Sequence, residues 1–367
     1  MGSLFSTSLL KDRDLESCED ITNVWCIINS LTEQKGGGEL KVVFTNRLTK
    51  EWFERIEKLR KEFPNVEFIT FREVKHPRTV LREAQAVVGG HFKTEEIKNA
   101  EHLKIIFVPW TGVNMLNWEI IRKRGITVTN THSNSKVVAE RAVALALALM
   151  GRVVEYHNDL QKGIWHGFPV GLPDKDYWTS IQGKNCTIVG FGNIGRHIAK
   201  MMKAFECYII AFKKHSTNAI PKYADEVTYD LETAISKGDI VFVALPLTAE
   251  TKGLFDEKRF SHMKGKFIVN VSRGEILEEK PLYESLKNGI LAGAAIDTWY
   301  RYPDETSNVS LPSKYPIHTL KNVVLSPHIA GVTRENMTAM IDDTVKTIES
   351  YLKNGEIRNR VDPTLTY

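Results

Sequence analysis

Short apolar runs alternate with segments in which apolar residues recur every three or four positions along most of this chain. A short apolar run is typical of a buried strand, whereas the wider spacing is typical of a helix. Strands that alternate with helices form parallel sheets covered by helices on both faces. The pattern therefore predicts an α/β protein with two parallel-sheet domains in tandem. The predicted strands are 42–44, 66–71, 86–88, 103–108 and 126–128, and then 187–189, 208–212, 240–245, 267–271, 292–296 and 323–325.

The remaining segments differ from this alternation. Residues 1–40 mix charges and serines with three consecutive glycines, so we expect a disordered extension there. A long helix is expected over 137–162, and an amphipathic helix over 335–352. Segment 163–180 is too long for an ordinary connection, and its composition predicts an arm that buries itself, for example against a second subunit. Its large aromatic residues are Trp165, Phe168, Tyr177 and Trp178.

One glycine-rich turn follows the predicted strand at 187–189. Gly190, Gly192 and Gly195 have the spacing G-x-G-x-x-G and lead into a helical pattern. In such a turn the first glycine permits the tight bend, the second lets a pyrophosphate approach the backbone, and the third lets the helix pack closely on the strand. The start of the helix then binds the anion through its free N–H groups and its dipole. We therefore predict a dinucleotide site here; the alternative is a plain turn without a ligand.

The residues after the second strand of this domain bear on which dinucleotide binds. NAD sites usually place an Asp or Glu there, which accepts hydrogen bonds from the ribose hydroxyls. This chain has Lys213 and Lys214 instead. Two lysines attract the 2′-phosphate of NADP, whereas a carboxylate repels it. The sequence therefore predicts NAD(P) as cofactor with NADP favoured; the alternative is NAD beside two solvated lysines.

Composition narrows the class of protein. A length of 367 residues suggests two domains, and a net charge of +4 without a basic stripe argues against a nucleic-acid partner. The most apolar run, 142–150, is too short to span a membrane, and the first residues lack a signal-peptide pattern. The cysteines lack C-x-x-C spacing, which predicts no metal site and reduced thiols in a cytoplasmic protein. They are Cys18, Cys26, Cys186 and Cys207.

Three polar residues, Arg273, Asp297 and His328, each come just after a predicted strand of the second domain. Open α/β sheets bind ligands at the carboxyl ends of their strands. An arginine there suits a carboxylate or a polarised carbonyl, a histidine can donate a proton to a carbonyl oxygen, and an aspartate can accept from a nicotinamide carboxamide. Each residue alone has an ordinary structural explanation. Together, beside a dinucleotide turn, they predict a reaction centre.

Six motifs make the chain from Lys41 onward resemble the D-isomer-specific 2-hydroxyacid dehydrogenases. They are VAERAVALALAL at 138–149, GFGNIG at 190–195, LPLTAET at 245–251, NVSRG at 270–274, AGAAID at 292–297 and SPHIAG at 326–331. The resemblance implies an NAD(P)-dependent oxidoreductase that transfers hydride between nicotinamide and a small 2-keto or 2-hydroxy acid. It also implies a homodimer built on the cofactor domain.

The resemblance further implies where substrate and cofactor bind. A flavodoxin-like substrate domain is expected over 41–134 and 336–367, and a Rossmann NAD(P)-binding domain over 135–335. Arg273 is implied to bind the carboxylate and keto oxygen of the substrate, and His328 to act as acid and base. The substrate side is expected to include Trp110, Thr111, Gly112, Val113 and Asn134. The cofactor is expected to contact Gly190, Gly192, Asn193, Ile194, Gly195, Lys213, Lys214, Leu245, Pro246, Thr251, Val271, Arg273, Asp297 and His328.

One position departs from the family pattern. Members normally carry a Glu five residues after the aspartate that matches Asp297, and Tyr302 stands there in this chain. That Glu raises the pKa of the histidine, because a nearby negative charge favours imidazolium. With a neutral tyrosine, and unless Asp304 or Glu305 reaches in, we expect the pKa of His328 to lie near its unperturbed value of roughly 6.5. Ketone reduction is then expected to be favoured at acidic pH.

Two other functions stay open. Formate dehydrogenases of the same superfamily also lack the Glu and need no general acid, and Trp299 and Asn134 resemble that branch. The C-terminal-binding-protein corepressors use this fold as a nucleotide-dependent binding module, although the three candidate reaction-centre residues are all retained here. Arg141 stands where many members have His, and the sequence assigns it no function. Glyoxylate, hydroxypyruvate, phosphoglycerate and branched keto acids are all candidate substrates.

Overall fold

The computed structural model describes residues 40–167, 176–214, 219–304 and 306–367. These residues divide into two compact units. The first unit comprises the described residues up to Thr131 together with Met340–Tyr367, and the second unit comprises those of His132–Ala339. The predicted extension, apart from Leu40, and Phe168 of the predicted arm lie outside the described residues.

The first unit contains a five-stranded parallel sheet with the strand order β2-β1-β3-β4-β5. This is the flavodoxin-like order, so that prediction is confirmed. The strands are β1 (Leu40–Phe44), β2 (Val66–Ile69), β3 (Ala86–Val88), β4 (Ile105–Phe107) and β5 (Thr127–Thr129). The helices are α1 (Lys50–Glu62), α2 (Thr94–Asn99) and α3 (Trp118–Arg124), with a 3₁₀ turn at Pro77–Glu83.

Two apolar cores cover the two faces of this sheet. Val42 and Phe44 point to one face and Val43 to the other, because successive side chains of a strand alternate. On the first face, the core includes residues of α1 and of the last helix of the chain, such as Ile56 and Ile348. Burial on both faces explains why these strands are continuous apolar runs rather than alternating ones.

The second unit contains a seven-stranded parallel sheet with the order β12-β11-β10-β9-β6-β7-β8. From β8 to β11 this is the Rossmann order, which confirms the predicted fold class. The strands are β6 (Asn185–Val189), β7 (Tyr208–Phe212), β8 (Glu226–Thr228), β9 (Ile240–Val243), β10 (Phe267–Asn270), β11 (Gly293–Ile296) and β12 (Val323–Leu325). The helices are α4 (Ser135–Met150), α5 (Val153–Leu160), α6 (Asn193–Lys203), α7 (Leu231–Lys237), α8 (Glu257–Ser261), α9 (Glu279–Lys287) and α10 (Arg334–Asn354), the last of which continues into the first unit.

The prediction of one long helix over 137–162 is wrong. Helix α4 ends at Met150 and α5 begins at Val153. Between them Arg152 adopts a left-handed backbone conformation with φ +52°. A residue in this conformation cannot continue a right-handed helix. The apolar spacing continues through the break, which is why the periodicity did not reveal it.

Further differences concern the strands. The predicted strand 66–71 ends at Ile69, and 240–245 ends at Val243. Apolar residues continue past these ends into the loops at the carboxyl edge of each sheet, so composition alone extends the strands too far. Strand β8 was missed, because its sequence Glu-Val-Thr has a single apolar residue.

Candidate active site

The glycine turn after β6 has three distinct local environments. Gly190 has φ +100°, and a Cβ there would lie 2.6 Å from the carbonyl oxygen of Ala244. A Cβ on Gly195 would lie 2.2 Å from the carbonyl oxygen of Gly190, so α6 packs directly on the turn. Within the described residues, a Cβ on Gly192 would meet no atom within 4 Å. The turn is therefore closed on the protein side at Gly190 and Gly195 and open at Gly192, as a bound pyrophosphate requires.

The N-terminus of α6 makes the glycine turn electrostatically positive. Gly192 is its N-cap, and among the described residues no side chain caps this end. The N–H groups of Asn193, Ile194 and Gly195 have no partners within the helix, because the first turn of any helix lacks them. These donors and the positive end of the helix dipole suit an anion. The turn also lies at the point where the strand order reverses, between β6 and β9.

A loop after β9 lies beside the glycine turn and carries Leu245, Pro246 and Thr251. The Thr251 hydroxyl donates to the carbonyl oxygen of Pro246 over 2.7 Å and accepts from the N–H of Thr248 over 2.8 Å. These bonds fold the loop back on itself. Its Glu250 forms an ion pair with Lys214, which follows β7. The backbone N–H of Lys213 donates to the carbonyl oxygen of Thr228 over 3.1 Å.

Arg273 is held by the strand end that precedes it. The side chain of Asn270, which is 1% exposed, accepts from the N–H of Ser272 and donates to the carbonyl oxygen of Arg273, both over 3.0 Å. Arg273 itself donates from Nη1 to the carbonyl oxygen of Ser272 over 2.7 Å. Burial lowers the pKa of its guanidinium from the ordinary value. The group stays charged, because an arginine does not lose its proton in proteins.

Asp297 organises the loop that carries His328. Its carboxylate is 1% exposed and accepts from the Ser326 hydroxyl over 2.5 Å and from the N–H groups of Ile329 and Ala330, each over 3.1 Å. His328 has φ +57°, a conformation that is uncommon for a residue other than glycine. The carboxylate binds the two amides that follow this strained residue, so it holds the histidine loop in place.

Tyr302 lies against His328. The two ring centroids are 5.3 Å apart with the planes at 47°. The Tyr302 hydroxyl accepts the N–H of Trp299 over 2.9 Å, which fixes the tyrosine. Asp304 does not replace the missing Glu, because its carboxylate accepts from Thr306 and from the next residue in its own turn. Glu305 lies outside the described residues.

The expectation that the pKa of His328 lies near its unperturbed value is wrong. Loss of hydration around the ring lowers the pKa, and the positive charge of Arg273 lowers it further. Asp297 acts in the opposite direction but does not compensate. The residue as a whole is exposed, and its ring contacts the ring of Tyr302 on one side. These effects together favour the neutral form of the imidazole.

Asn134 is the N-cap residue of α4, and its carbonyl oxygen accepts the N–H of Val138 over 3.0 Å. Its side-chain Nδ2 lies 3.3 Å from the position that a Cβ on Gly331 would occupy. Asn134 is therefore a neighbour of the loop that carries His328, within the second unit.

In the first unit, the predicted substrate residues form a braced loop after β4. Thr111 donates from its hydroxyl to the carbonyl oxygen of Thr131 and accepts at its own carbonyl from the side chain of Asn130, both over 2.8 Å. Gly112 follows, and Val113, which is buried, accepts from the indole N–H of Trp118 over 3.1 Å. The loop thus presents its backbone from a fixed position at the carboxyl edge of the sheet.

Sequence reasoning missed a neighbour of this loop. The His91 ring lies 5.2 Å from that of Trp110, and Gly90 lies so close to the indole that a Cβ would be 2.6 Å from it. The signal was present, since His91 is a polar residue shortly after the apolar strand β3. Burial lowers the pKa of His91, and the charge of Arg78 adds to this effect.

Comparison with known proteins decides the family. The family model described as "D-isomer specific 2-hydroxyacid dehydrogenase, NAD binding domain" matches residues 143–330. A glyoxylate reductase of Thermococcus litoralis is 32% identical over 328 residues, which cover 86% of this chain and 95% of that protein. The chain belongs to the D-isomer-specific 2-hydroxyacid dehydrogenase family.

Two further comparisons are consistent with this membership. A D-3-phosphoglycerate dehydrogenase of Archaeoglobus fulgidus is 30% identical over 318 residues, which cover 84% of this chain and 57% of that protein. A solved structure from Pyrococcus horikoshii OT3 has a TM-score of 0.74 and 27% identity, and the match covers 88% of this chain and 95% of that one.

Family membership confirms the predicted class of enzyme. This 2-hydroxyacid dehydrogenase is an NAD(P)-dependent oxidoreductase with a Rossmann-type NAD-binding domain. Within the described ranges, this dehydrogenase has no helix that is both long and apolar enough to cross a membrane.

Proposed function

We propose that this dehydrogenase reduces a small 2-keto acid, with Arg273 binding the substrate and His328 supplying the proton. One observation carries the proposal. Arg273, Asp297 and His328 follow three neighbouring strands, β10, β11 and β12, whose carboxyl ends share one edge of the sheet. The proposal assigns the described residues of 41–134 and 336–367 to substrate binding and those of 135–335 to the cofactor.

The chemistry follows from the charges at this edge. A bound reduced nicotinamide supplies the hydride. The guanidinium of Arg273 binds the substrate carboxylate and stabilises negative charge that develops on the keto oxygen. The imidazolium form of His328 donates the proton to that oxygen. In the reverse direction the neutral imidazole accepts the proton from the hydroxyl group of a 2-hydroxy acid.

The substrate carboxylate is also assigned to the loop 110–113, and Asn134 to a polar contact with the substrate. The backbone of the loop is braced by side-chain hydrogen bonds, so its N–H groups are presented without a cost of ordering. Trp110 and His91 form an aromatic pair next to the loop. We expect this pair to restrict the size of the group attached to the keto acid.

For the cofactor we propose a preference for NADP. Lys213 and Lys214 follow β7 at the position of the usual acidic residue. The ion pair of Lys214 with Glu250 is exposed, with side chains 59% and 69% accessible. An exposed ion pair stabilises a protein by at most about 1 kcal/mol. The 2′-phosphate of NADP can therefore replace Glu250 as the partner of Lys214. The glycine turn binds the pyrophosphate in this proposal.

We also propose that the enzyme is a cytoplasmic homodimer formed through its second unit. Large apolar side chains are exposed there on and after α5, including Trp165 (68%), Tyr177 (60%) and Trp178 (59%). A contiguous patch of such residues is typical of an interaction surface, and we propose that these side chains form one. Light scattering should give the mass of a dimer, and Trp178→Glu should produce monomers. The cytoplasmic location rests on Cys186 and Cys207, which are both buried as free thiols.

A screen of substrates tests the proposed reaction. Glyoxylate, hydroxypyruvate and branched 2-keto acids are offered with NADPH and with NADH, and oxidation of the cofactor is followed by absorbance. Arg273→Met should lower kcat/KM by at least about thirtyfold, because loss of one partner of a buried charge pair costs about 2 kcal/mol or more. Arg301→Met removes an exposed arginine from the same unit and serves as the matched control. Turnover that survives Arg273→Met would refute the assignment.

A second function, oxidation of formate, is favoured by one observation. Among the described residues no carboxylate is bonded to the His328 ring, and its pKa is lowered. Hydride transfer from formate yields carbon dioxide and needs no general acid. Formate with NAD and with NADP is therefore included in the screen. Turnover of formate together with inactivity on every keto acid would support this function instead.

A further inference from the structure

A chain of hydrogen bonds leads from helix α4 to the loop of His328. Arg141 on α4 donates from Nη2 to the Ser326 hydroxyl over 3.2 Å. Ser326 in turn donates to Oδ1 of Asp297 over 2.5 Å. Asp297 then accepts the two backbone N–H groups that follow His328. All of these residues belong to the second unit.

Arg141 brings a positive charge to one end of this series of hydrogen bonds. Asp297 and Ser326 are each 1% exposed, so the carboxylate is almost completely removed from water. A buried carboxylate is unfavourable unless donors or a positive charge compensate it. The hydrogen bonds that Asp297 accepts come from one hydroxyl group and two backbone N–H groups, none of which is charged. Arg141 supplies a positive charge one hydroxyl group away.

One hydrogen-bond donor of Arg141 has no partner among the described residues. Its Nε is buried and, among the described residues, has no hydrogen-bond partner. A buried N–H group without a partner is unfavourable for stability, even though Arg141 as a whole is half-buried. Its position is therefore better explained by its contact with Ser326 than by packing of α4. Many members of the family have His here, so the contact distinguishes this chain.

We propose that Arg141 is a positioning residue for His328. Through Ser326 and Asp297 it holds the amides of Ile329 and Ala330, and thereby keeps the left-handed backbone of His328 in place. A strained conformation of this kind persists only when its surroundings hold it. Arg141 touches neither substrate nor the reacting atoms, and the inference rests on the keto-acid reduction proposed above.

The test is a double-mutant cycle on Arg141 and Ser326. Arg141→Met removes the charge and keeps the length of the side chain. We expect kcat to fall by about tenfold while KM for the keto acid changes by less than about twofold, because the geometry of the proton donor is affected and substrate binding is not. Ser326→Ala should have a similar effect, and the double variant should be no worse than either single variant. Arg141→Lys should recover part of kcat.

A second readout does not depend on activity. Hydrogen exchange of the peptide 326–331, measured by mass spectrometry without cofactor, should be faster in Arg141→Met than in the unmodified protein. Lys136→Met removes an exposed charge from the same helix and should change neither exchange in this peptide nor kcat.

The outcomes separate this inference from the proposed function. Unchanged exchange in 326–331, unchanged kcat in Arg141→Met, or additive effects in the double variant would each overturn the positioning role. If the unmodified protein turned over no keto acid, the proposed function would fail, while the exchange measurement would still decide whether Arg141 holds the loop.

Discussion

Restoring the carboxylate that the family normally places beside the histidine should extend keto-acid reduction to higher pH. The perturbation is Tyr302→Glu. The ring of Tyr302 lies 5.3 Å from that of His328, so a carboxylate there is at comparable range. At that distance and an effective dielectric constant of about 20, the attraction to imidazolium is about 3 kcal/mol. Because position 302 is 46% exposed, screening reduces this to about 1–1.5 kcal/mol.

The sign and size of the effect follow from this energy. About 1.4 kcal/mol corresponds to one pKa unit, so the pKa of His328 should rise by about one unit from its lowered value. Only the protonated ring donates a proton, and reduction therefore slows as the pH rises through this pKa. The pH range in which kcat for reduction falls should therefore lie about one pH unit higher in the variant. Above both pKa values the variant should reduce the keto acid about tenfold faster, and at low pH the two enzymes should be equal.

The assay is a pH profile of kcat for reduction, with Tyr302→Gln as the matched control. Both substitutions remove the phenol that accepts the N–H of Trp299, so the loss of this bond, about 1 kcal/mol, is common to both. Only the Glu variant adds a charge, and its shift should shrink as salt is added. Profiles that coincide for the Glu and Gln variants would refute the reasoning.

Three further predictions test the rest of the site. Gly195→Ala places a methyl group 2.2 Å from the carbonyl oxygen of Gly190 and should lower the melting temperature. Gly192→Ala places its methyl group where no described atom lies within 4 Å, so the melting temperature should not change. This second variant should instead weaken the binding of NADPH in a fluorescence titration. Lys213→Ala should raise KM for NADPH by about three- to tenfold and leave KM for NADH unchanged, since one charge contact to phosphate is lost; equal effects on both would contradict the NADP preference. Asp297→Asn replaces one acceptor oxygen of a buried carboxylate with a donor, so unfolding free energy measured in denaturant should fall by about 2–3 kcal/mol, and an unchanged value would be the contrary result.

Much of the second unit could be predicted from local sequence. Strand β7 begins and ends where its apolar run does, and its three central residues are buried, as expected for a strand covered on both faces of a parallel sheet. The glycine turn could also be predicted, since each glycine is required by backbone geometry within a few residues of itself. Arg273 and His328 were placed at one edge because the carboxyl ends of parallel strands always lie together.

Only the tertiary structure decided which distant groups meet. The order of β10, β11 and β12, the role of Asp297 in binding the His328 loop, and the contact from Arg141 to Ser326 each join residues far apart in the chain. The direction of the His328 pKa shift was likewise not predictable. Desolvation and the field of a neighbouring charge depend on which atoms surround the ring, and a linear pattern of apolar and polar residues does not contain that information.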